Sequence, residues 1–507
     1  MAAENIVDTG RAVRIGGRRY PLILPRLSDP RLHVASVLLS VQVLGQVSLG
    51  FELSIAQLLV SLGTAAMIEV SLTFSQRRVI AWPASALLTG NGVALILRVP
   101  GTEHGDWWSL EGAHIFAACS ALSVLSKHVI RVDDRPLFNP SNLGLVVTFL
   151  VLGSTGADPQ DLWWGPPSWG LALTFVLVTI GGFVVTRRIG LLPVSALFFV
   201  VFGALMTLLA ATGHCMSARW SLGPVCGRSY WSTMVLSPEI LIFLFFMITD
   251  PRTVPSGRVG RQLFAVAVAV TCALFVAFQT TEYATKVALL TGLVVVCTGR
   301  PFIERRVSAD QASPPLRSSR TTRGTVATRR AAAGATLVLA PALVLGASAF
   351  AGSPQDLTHA SVDRAQRPDV EIRPDQRPAV TISTDSPVLE SFEQDAAQKA
   401  VMEVIGALLL CDRALAEGDA TLLESVAAGR WREQLIEHLE STSSTVAPDR
   451  TFETAELTTH RNPGEFQSVP RLAIALEGTL NGTSWRATYE IAASEAGYVI
   501  TDELPSS

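Results

Sequence analysis

Three short segments put polar or helix-breaking residues where the surrounding sequence is apolar. Phe138-Asn139-Pro140-Ser141-Asn142 heads one apolar run, Ser85-Ala86-Leu87-Leu88-Thr89-Gly90-Asn91-Gly92 lies inside another, and Ile248-Thr249-Asp250-Pro251 closes a third. Irregular backbone at membrane depth is tolerated only when it is buried in protein or lines a cavity, so such interruptions point to sites. Asn139 suits a helix cap and Pro140 the first turn, which leaves backbone N–H groups able to hold an anion or phosphate; plain capping is the alternative. The glycines around Asn91 predict a break or a close helix contact, and its amide then needs a partner. The Asp250 carboxylate has three available roles: binding a polar ligand, binding a cation, or pairing with Arg252. The residues expected to contact a bound ligand are therefore Thr89, Asn91, Asn139, Ser141, Asn142, Thr249 and Asp250.

Glu69, Glu239, His114, Lys127 and His128 complete the ionisable set inside the apolar runs. Glu69 sits near the middle of its run, where an unpaired acid costs about 2.5 kcal/mol or more, so an interior role is expected for it. Lys127 and His128 lie near the end of theirs and are expected to snorkel to the interface. Lysine is otherwise rare: only Lys127, Lys286 and Lys399 occur beside 37 arginines, a bias that reads as codon usage.

The elements that must position these groups are membrane helices. The 507 residues are 49% hydrophobic and 16% charged, against about 25% charged in an ordinary soluble domain. Runs long enough to approach the ~20 residues a transmembrane helix needs occur at 32–50, 54–75, 84–99, 111–130, 138–153, 168–186, 190–212, 231–250, 261–280, 283–299 and 331–351. Basic residues precede the first run (Arg11, Arg14, Arg18, Arg19). They recur after each even-numbered one, as Arg77 and Arg78, Arg131 and Arg135, Arg187 and Arg188, Arg252, Arg258 and Arg261, then Arg300, Arg305 and Arg306. The other loops are acidic or neutral and rich in tryptophan, as in Glu103–Glu111 with Trp107 and Trp108. Positive charge stays cytoplasmic, so the amino terminus is expected inside and the chain after the eleventh span outside, in the cell membrane.

Five segments follow from this reading: a cytoplasmic amino-terminal segment (1–31), a ten-span body (32–299), a basic linker (300–330), a single anchor (331–351) and an extracytoplasmic domain (352–507). Residues 1–300 carry 21 Lys+Arg against 15 Asp+Glu, 301–330 carry 7 against 2, and 331–507 carry 12 against 26. Residues 307–330 lack apolar periodicity and read as a disordered linker. The eleventh run also has the pattern of a secretory signal, from Arg329-Arg330 to Ala349-Phe350-Ala351, and cleavage competes with retention as an anchor.

In the last domain, apolar residues at helical spacing (Val401, Val404, Ile405, Leu408, Leu409, then Leu422, Leu423, Val426) precede alternating runs at 471–480 and 484–492 joined by Asn481-Gly482. A short strand at 498–501 follows, so an α+β domain is expected. The stretch 414–431 resembles the helical part of an NTF2-like cone, a fold that serves enzymes, binders and dimerisation modules alike.

The six cysteines include no CxxC pair, so no metal site is encoded locally. Cys215 and Cys226, on an outer loop, are expected to form a structural disulfide, and Cys411 to be a small buried hydrophobe. No Walker A, HExxH or GxSxG motif and no strand-linked GxGxxG occurs, and no strongly basic face for nucleic acid is present.

The segments SALLTGNGVALILRVP (85–100), LFNPSNLGLVVTF (137–149), IGGFVVTRRIGLLPVSALFF (180–199) and FFMITDPRTVPSGRVGR (245–261) together resemble the RnfD/NqrB membrane subunits of ion-pumping electron-transport complexes. Their order and spacing cover about residues 55–300, and the wording of FNPSN with QTTEYATKVALLTGLVVVC (279–297) most resembles the UnbU type of enediyne natural-product clusters. The resemblance implies a ten-helix body of two inverted five-helix repeats, flavin-linked membrane electron transfer, and partners among membrane or exported proteins of a redox or biosynthetic complex. It also implies covalent FMN on a threonine of an outer Ser-Gly-Ala-Thr motif. Here the equivalent stretch is Ser154-Thr155-Gly156-Ala157-Asp158, so a non-covalent flavin, FMN or riboflavin, is expected instead. A channel or transporter for a small polar solute and a scaffold recruiting an exported partner are the competing functions.

Overall fold

A computed structural model describes residues 6–15, 18–25, 29–102, 104–160, 169–218, 224–312 and 340–350, then 368, 370, 372–384, 389, 392–441, 447–460, 470–494 and 497–505. The chain divides into two compact units, the larger comprising 1–216 with 226–353 and the smaller 217–225 with 354–507.

The larger unit opens with a feature absent from the sequence reading. Strands β1 (Ile6–Ile15) and β2 (Arg18–Pro25) form an antiparallel hairpin, and β2 then pairs in parallel with β3 (Ile80–Ala81). The helices of this part of the chain are α1 (Pro30–Ser48), α2 (Ile55–Arg77), α3 (Ala84–Ile96), α4 (Ala113–Val129) and α5 (Pro140–Gly156). These are followed by α6 (Trp169–Arg188), α7 (Leu192–Ala211), α8 (Gly227–Leu236), α9 (Pro238–Ile242), α10 (Arg258–Ala277) and α11 (Glu282–Ala312), and two-residue strands β4 (Leu97–Arg98), β5 (Arg131–Val132), β6 (Arg135–Pro136), β7 (Asp158–Pro159), β8 (Cys215–Met216) and β9 (Val225–Cys226) lie in the connections. Among the described residues, six helical stretches are long and apolar enough to cross a membrane: Ile55–Arg77, Trp169–Arg188, Leu192–Ala211, Gly227–Met247, Arg258–Ala277 and Glu282–Arg306. Shorter apolar helices occupy Ala84–Ile96, Pro140–Ser154 and Ala340–Phe350, the last being α12.

Two boundaries differ from expectation. The run at 231–250 is not one helix: Ser237 ends α8, accepts a hydrogen bond from the Ile240 amide to start α9, and a π-helical turn (Phe243–Met247) completes it. Pro238 has no N–H to continue the α8 ladder, which places the break. At the other end α11 continues to Ala312, so the expected disordered linker is helical over 307–312.

Glycine sets the helix spacing. A Cβ on Gly90 would lie 2.8 Å from the Ser61 carbonyl oxygen of α2, and one on Gly144 of α5 would lie 1.9 Å from Ser123 Oγ of α4. Helices in lipid gain no hydrophobic drive from meeting each other, so such close backbone approach supplies their packing energy. α3 accordingly runs unbroken through Gly90-Asn91-Gly92, which makes close contact and not a break the outcome there.

In the smaller unit a five-stranded sheet has the order β10 (Ala379–Ile382), β11 (Arg450–His460), β12 (Arg471–Leu480), β13 (Thr483–Ser494) and β14 (Gly497–Leu504). The first pair is parallel and the rest antiparallel; the reading from sequence lacked β10 and β11. The Asn481-Gly482 turn takes left-handed φ at both residues, 52° and 79°, as a two-residue hairpin of matching twist demands. Helices α13 (Gln394–Glu417), α14 (Ala420–Val426) and α15 (Gly429–Ser441) accompany the sheet. Val401, Val404, Ile405 and Leu408 of α13 pack on Ile474, Leu476, Tyr489 and Ile491. Cys411 is buried in a second cluster with Leu423 and Val426, as expected of a small hydrophobe.

Candidate functional site

The FNPSN segment is a junction. Asn139 Oδ1 accepts from the Asn142 amide at 3.3 Å and from Ser141 Oγ at 3.0 Å, capping α5, while its Nδ2 donates to the Met247 carbonyl at 3.3 Å. Asn142 Nδ2 donates to the Leu290 carbonyl of α11 at 3.0 Å. The head of α5 is thus tied to both the π-helical turn and α11. Of the open readings, capping describes Asn139, and one of the backbone donors thought free for an anion is satisfied by it.

The Thr249-Asp250 segment is held in the same place. Thr249 Oγ1 donates to its own helix at the Phe245 carbonyl, and Asp250 Oδ1 accepts from the Arg252 amide at 3.0 Å. Pairing with the backbone of Arg252 is therefore the role the carboxylate takes here. Arg135 reaches across to the carbonyls of Pro251 (3.2 Å), Arg252 (3.1 Å) and Val254 (2.7 Å), and Arg300 donates to the carbonyls of Pro136 and Arg252, each at 2.9 Å. Two guanidiniums, one of them only 1% exposed, clamp the turn.

α3 contributes the third segment. Thr89 Oγ1 donates to the Ser85 carbonyl of its own helix at 3.0 Å. Asn91 is 4% exposed and neither Nδ2 nor Oδ1 has a hydrogen-bond partner. The next residue, Gly92, approaches α5, where a Cβ would lie 3.3 Å from Ser141 Oγ. Asn142 Oδ1 is likewise buried and unpartnered. Of the seven expected binding residues, Asn139 and Asn142 bond across to other elements, Ser141, Thr249 and Asp250 bond within their own segments, and Thr89 bonds within α3. Only Asn91 and Asn142 retain buried hydrogen-bonding capacity, and a desolvated amide without partners costs about 1–3 kcal/mol.

One expectation is corrected by packing. Lys127 does not snorkel: it is 5% exposed and its Nζ lies 2.8 Å from Glu69 Oε2, with His128 Nε2 at 2.9 Å from the same oxygen. Glu69 is consequently paired, and its burial is explained without a free carboxylate.

Two further charged clusters went unread in the sequence. Arg98, at the end of α3, bridges Glu52 and Asp158, in a region where strand β4 (Leu97–Arg98) pairs with Asp158–Pro159. Lys286 Nζ lies 2.7 Å from Glu282 and 3.7 Å from Glu239, and donates to the Gln160 carbonyl at 3.2 Å. The i,i+4 spacing of Glu282 and Lys286 is the signal that could have revealed the second; the first joins residues 46 and 60 positions apart and leaves no local trace. A disulfide joins Cys215 and Cys226 as expected. Among the described residues no His, Cys, Asp and Glu side chains gather to hold a metal ion.

The residues test the implied flavin in opposite ways. A covalent link does not fit, because the position expected to be threonine is Asp158, engaged with Arg98. A non-covalent ligand with both donors and acceptors fits the unpartnered amide of Asn91 and the Asn142 oxygen. Compared with protein-family models and with curated proteins, the chain matches none.

Proposed function

We propose that this chain is an integral membrane protein of RnfD/NqrB type, an electron-transport component that binds a flavin non-covalently and serves a natural-product pathway of the enediyne kind. In this reading ten spans form two inverted five-helix halves, the basic loop ends face the cytoplasm, and 352–507 is an extracytoplasmic NTF2-like module that recruits partners. The observation that carries the reading is the junction itself. Three motifs of the resemblance, far apart in sequence, converge where Asn139 bonds Met247 and Asn142 bonds Leu290, and α3, which carries the unsatisfied Asn91 amide, approaches the same α5 at Gly92. The topology draws support from the basic exits. Arg135 binds the loop after α9, Arg300 binds Pro136 and Arg252, and Arg261 donates to Gly190, so exits of four even-numbered runs share one end of the unit.

If bound, the flavin would supply one- or two-electron storage within the bilayer, and the chain would orient it through Asn91 and Asn142. The test is absorbance of the detergent-purified protein, followed by titration with FMN and with riboflavin. A yellow protein, or saturable uptake that weakens at least fivefold in Asn91→Ala, is expected; colourless protein that takes up neither flavin overturns the proposal.

A further inference from the structure

The amino-terminal hairpin carries a pairing that folded chains normally avoid. Its register sets Val13 opposite Tyr20, Arg14 opposite Arg19 and Ile15 opposite Arg18. Residues directly opposite each other in an antiparallel pair share a face with their Cβ atoms about 5 Å apart, and like charges there repel. Arg14 and Arg19 therefore set two guanidiniums side by side at a cost. Both are exposed, and among the described residues neither pairs with a carboxylate. Elsewhere in the larger unit Arg31 is matched by Asp29, Arg98 by Glu52 and Asp158, and Arg135 by Glu304.

The location narrows the choice of counter-anion. The Tyr20 ring lies 5.0 Å from that of Phe74, in the last turn of α2, and the Arg78 guanidinium lies 5.7 Å over the same Phe74 ring. Because α2 is long and apolar enough to cross a membrane, the hairpin stands where that helix leaves the apolar layer. Trp82, 52% exposed, donates its backbone N–H to the Ile23 carbonyl at 2.9 Å and marks the same level, since tryptophan and tyrosine collect at membrane–water interfaces. Successive residues of a strand point to opposite faces, so with Tyr20 turned to α2 the Arg14–Arg19 pair faces away from it. Arg18, Arg77 and Arg78, exposed and likewise without a carboxylate among the described residues, add positive charge to this end of the unit.

We propose that the Arg14–Arg19 pair is a binding site for the phosphate of an anionic phospholipid. One phosphate group has acceptor oxygens enough for both guanidiniums, and its charge turns their repulsion into a shared attraction. The end of α2 holds the hairpin at the depth where lipid headgroups lie. A net negative headgroup complements a surface whose arginines lack acids, whereas a zwitterionic one brings its own cation beside the phosphate, so selectivity for net charge follows. The inference rests on the membrane-spanning reading of α2, which it shares with the proposed function, and not on the flavin, which has its own optical readout.

The full chain in a neutral detergent is titrated with short-chain phosphatidylglycerol, with short-chain phosphatidylcholine or with inorganic phosphate, and amide hydrogen exchange is followed over 6–25. Phosphatidylglycerol is expected to slow exchange saturably, and the other two to have no effect at the concentration where it saturates. Arg19→Gln should raise the half-saturating concentration roughly fivefold, while Arg187→Gln, at an exposed arginine in the last turn of α6, should leave it unchanged. Without lipid, Arg19→Gln is expected to exchange more slowly than the wild type because the repulsion is gone; an arginine that merely supports the hairpin would give the opposite sign. The proposal is overturned by no response to phosphatidylglycerol, by an equal response to phosphatidylcholine or to inorganic phosphate, or by equal weakening in Arg187→Gln. Faster exchange of lipid-free Arg19→Gln, whether the hairpin loosens or unfolds, overturns it as well.

Discussion

Asn139 and Met247 are 108 positions apart and share one hydrogen bond, 3.3 Å from the Asn139 amide nitrogen to the Met247 carbonyl oxygen. The acceptor end of the same side chain caps α5. One buried residue, 7% exposed, thus starts a helix and fastens it to the turn that follows a broken one. Truncating it leaves the Asn142 amide uncapped and a carbonyl unpaired in an apolar setting. Asn139→Ala is expected to cost about 2 kcal/mol from lost cap and cross-bond together, seen as a lower midpoint of thermal unfolding in detergent. An unchanged midpoint would show that the junction is not made.

Glycine packing makes a sharper prediction because it has an internal control. Gly144→Ala drives a methyl to 1.9 Å from Ser123 Oγ and 2.9 Å from the Cys119 carbonyl, while Gly63→Ala meets nothing within 4 Å. The first is expected to destabilise by about 1–3 kcal/mol through overpacking. The second should be neutral or slightly stabilising, since alanine favours helix over glycine. Equal effects of the two, measured by the same unfolding assay, would contradict the close approach of α4 and α5.

How much of this was legible beforehand depended on range. The cap at Asn139, the Asn481-Gly482 turn and the Cys215–Cys226 pair rest on residues no more than 11 positions apart, and residue type reveals them, whereas the glycines around Asn91 left a break and a close contact both open. The amino-terminal hairpin was legible in principle, because Val13, Ile15, Tyr20, Leu22 and Leu24 alternate around Gly16-Gly17, but its charged residues drew attention as a topology signal. The Arg98 cluster was not legible, nor was Glu239 beside Lys286, whereas the i,i+4 pair of Glu282 and Lys286 was within reach. Ion pairs between residues 46 to 60 positions apart need the helices placed first, and a mostly apolar helix shows almost no hydrophobic periodicity by which to orient it. The site suffered the same limit: Asn139 and Thr249 could be singled out as polar, but that Asn139 spends its amide on the Met247 carbonyl while Thr249 bonds within its own helix depends on packing.

The smaller unit has a buried pair with a predictable pH response. Asp412 receives two hydrogen bonds from Arg450, whose guanidinium lies 4.9 Å over the Trp485 ring. Burial nevertheless outweighs the arginine and holds the Asp412 carboxyl above its ordinary 3.8. The folded state then binds this proton more tightly than the unfolded chain. Its stabilising effect is complete below 3.8 and fades as pH rises through the higher folded value. Asp412→Asn removes that titration, so hydrogen exchange over 394–417 in the full chain should lose part of its acceleration between pH 3.8 and neutrality. A variant whose exchange follows the wild-type pH dependence would refute the raised carboxyl.

The disulfide offers a test of sidedness together with stability. Cys215 and Cys226 close a loop with a sequence separation of 11, for which chain entropy predicts about 3 kcal/mol in favour of the folded state. Changing both to serine should lower the unfolding midpoint accordingly. In intact cells an impermeant maleimide should label them only after an external reductant, because the proposed topology puts the loop between α7 and α8 on the outer, oxidising face. Labelling that requires permeabilised cells would invert the topology.

Asp158 brings the flavin question and the fold into one experiment. Restoring threonine there would recreate the residue type that the resemblance associates with covalent FMN, so a purely motif-based view expects Asp158→Thr to gain a cofactor. The structure argues otherwise. Arg98 is 4% exposed and is neutralised from two sides, by Glu52, whose side chain is 35% exposed, and by Asp158, at 11%. Removing Asp158 takes from a largely desolvated guanidinium the more buried of these two acids. The expected cost is about 3 kcal/mol, at the low end for a broken buried pair because Glu52 remains. The β4 pairing of Leu97 with Pro159 and Arg98 with Asp158 should loosen with it, since it is only two residues long. Denaturing gel fluorescence of Asp158→Thr is therefore expected to show no protein-bound flavin, alongside a lowered unfolding midpoint that Asp158→Glu partly restores. A fluorescent, undestabilised Asp158→Thr protein would mean that Asp158 is a displaced attachment point and not the anchor for Arg98.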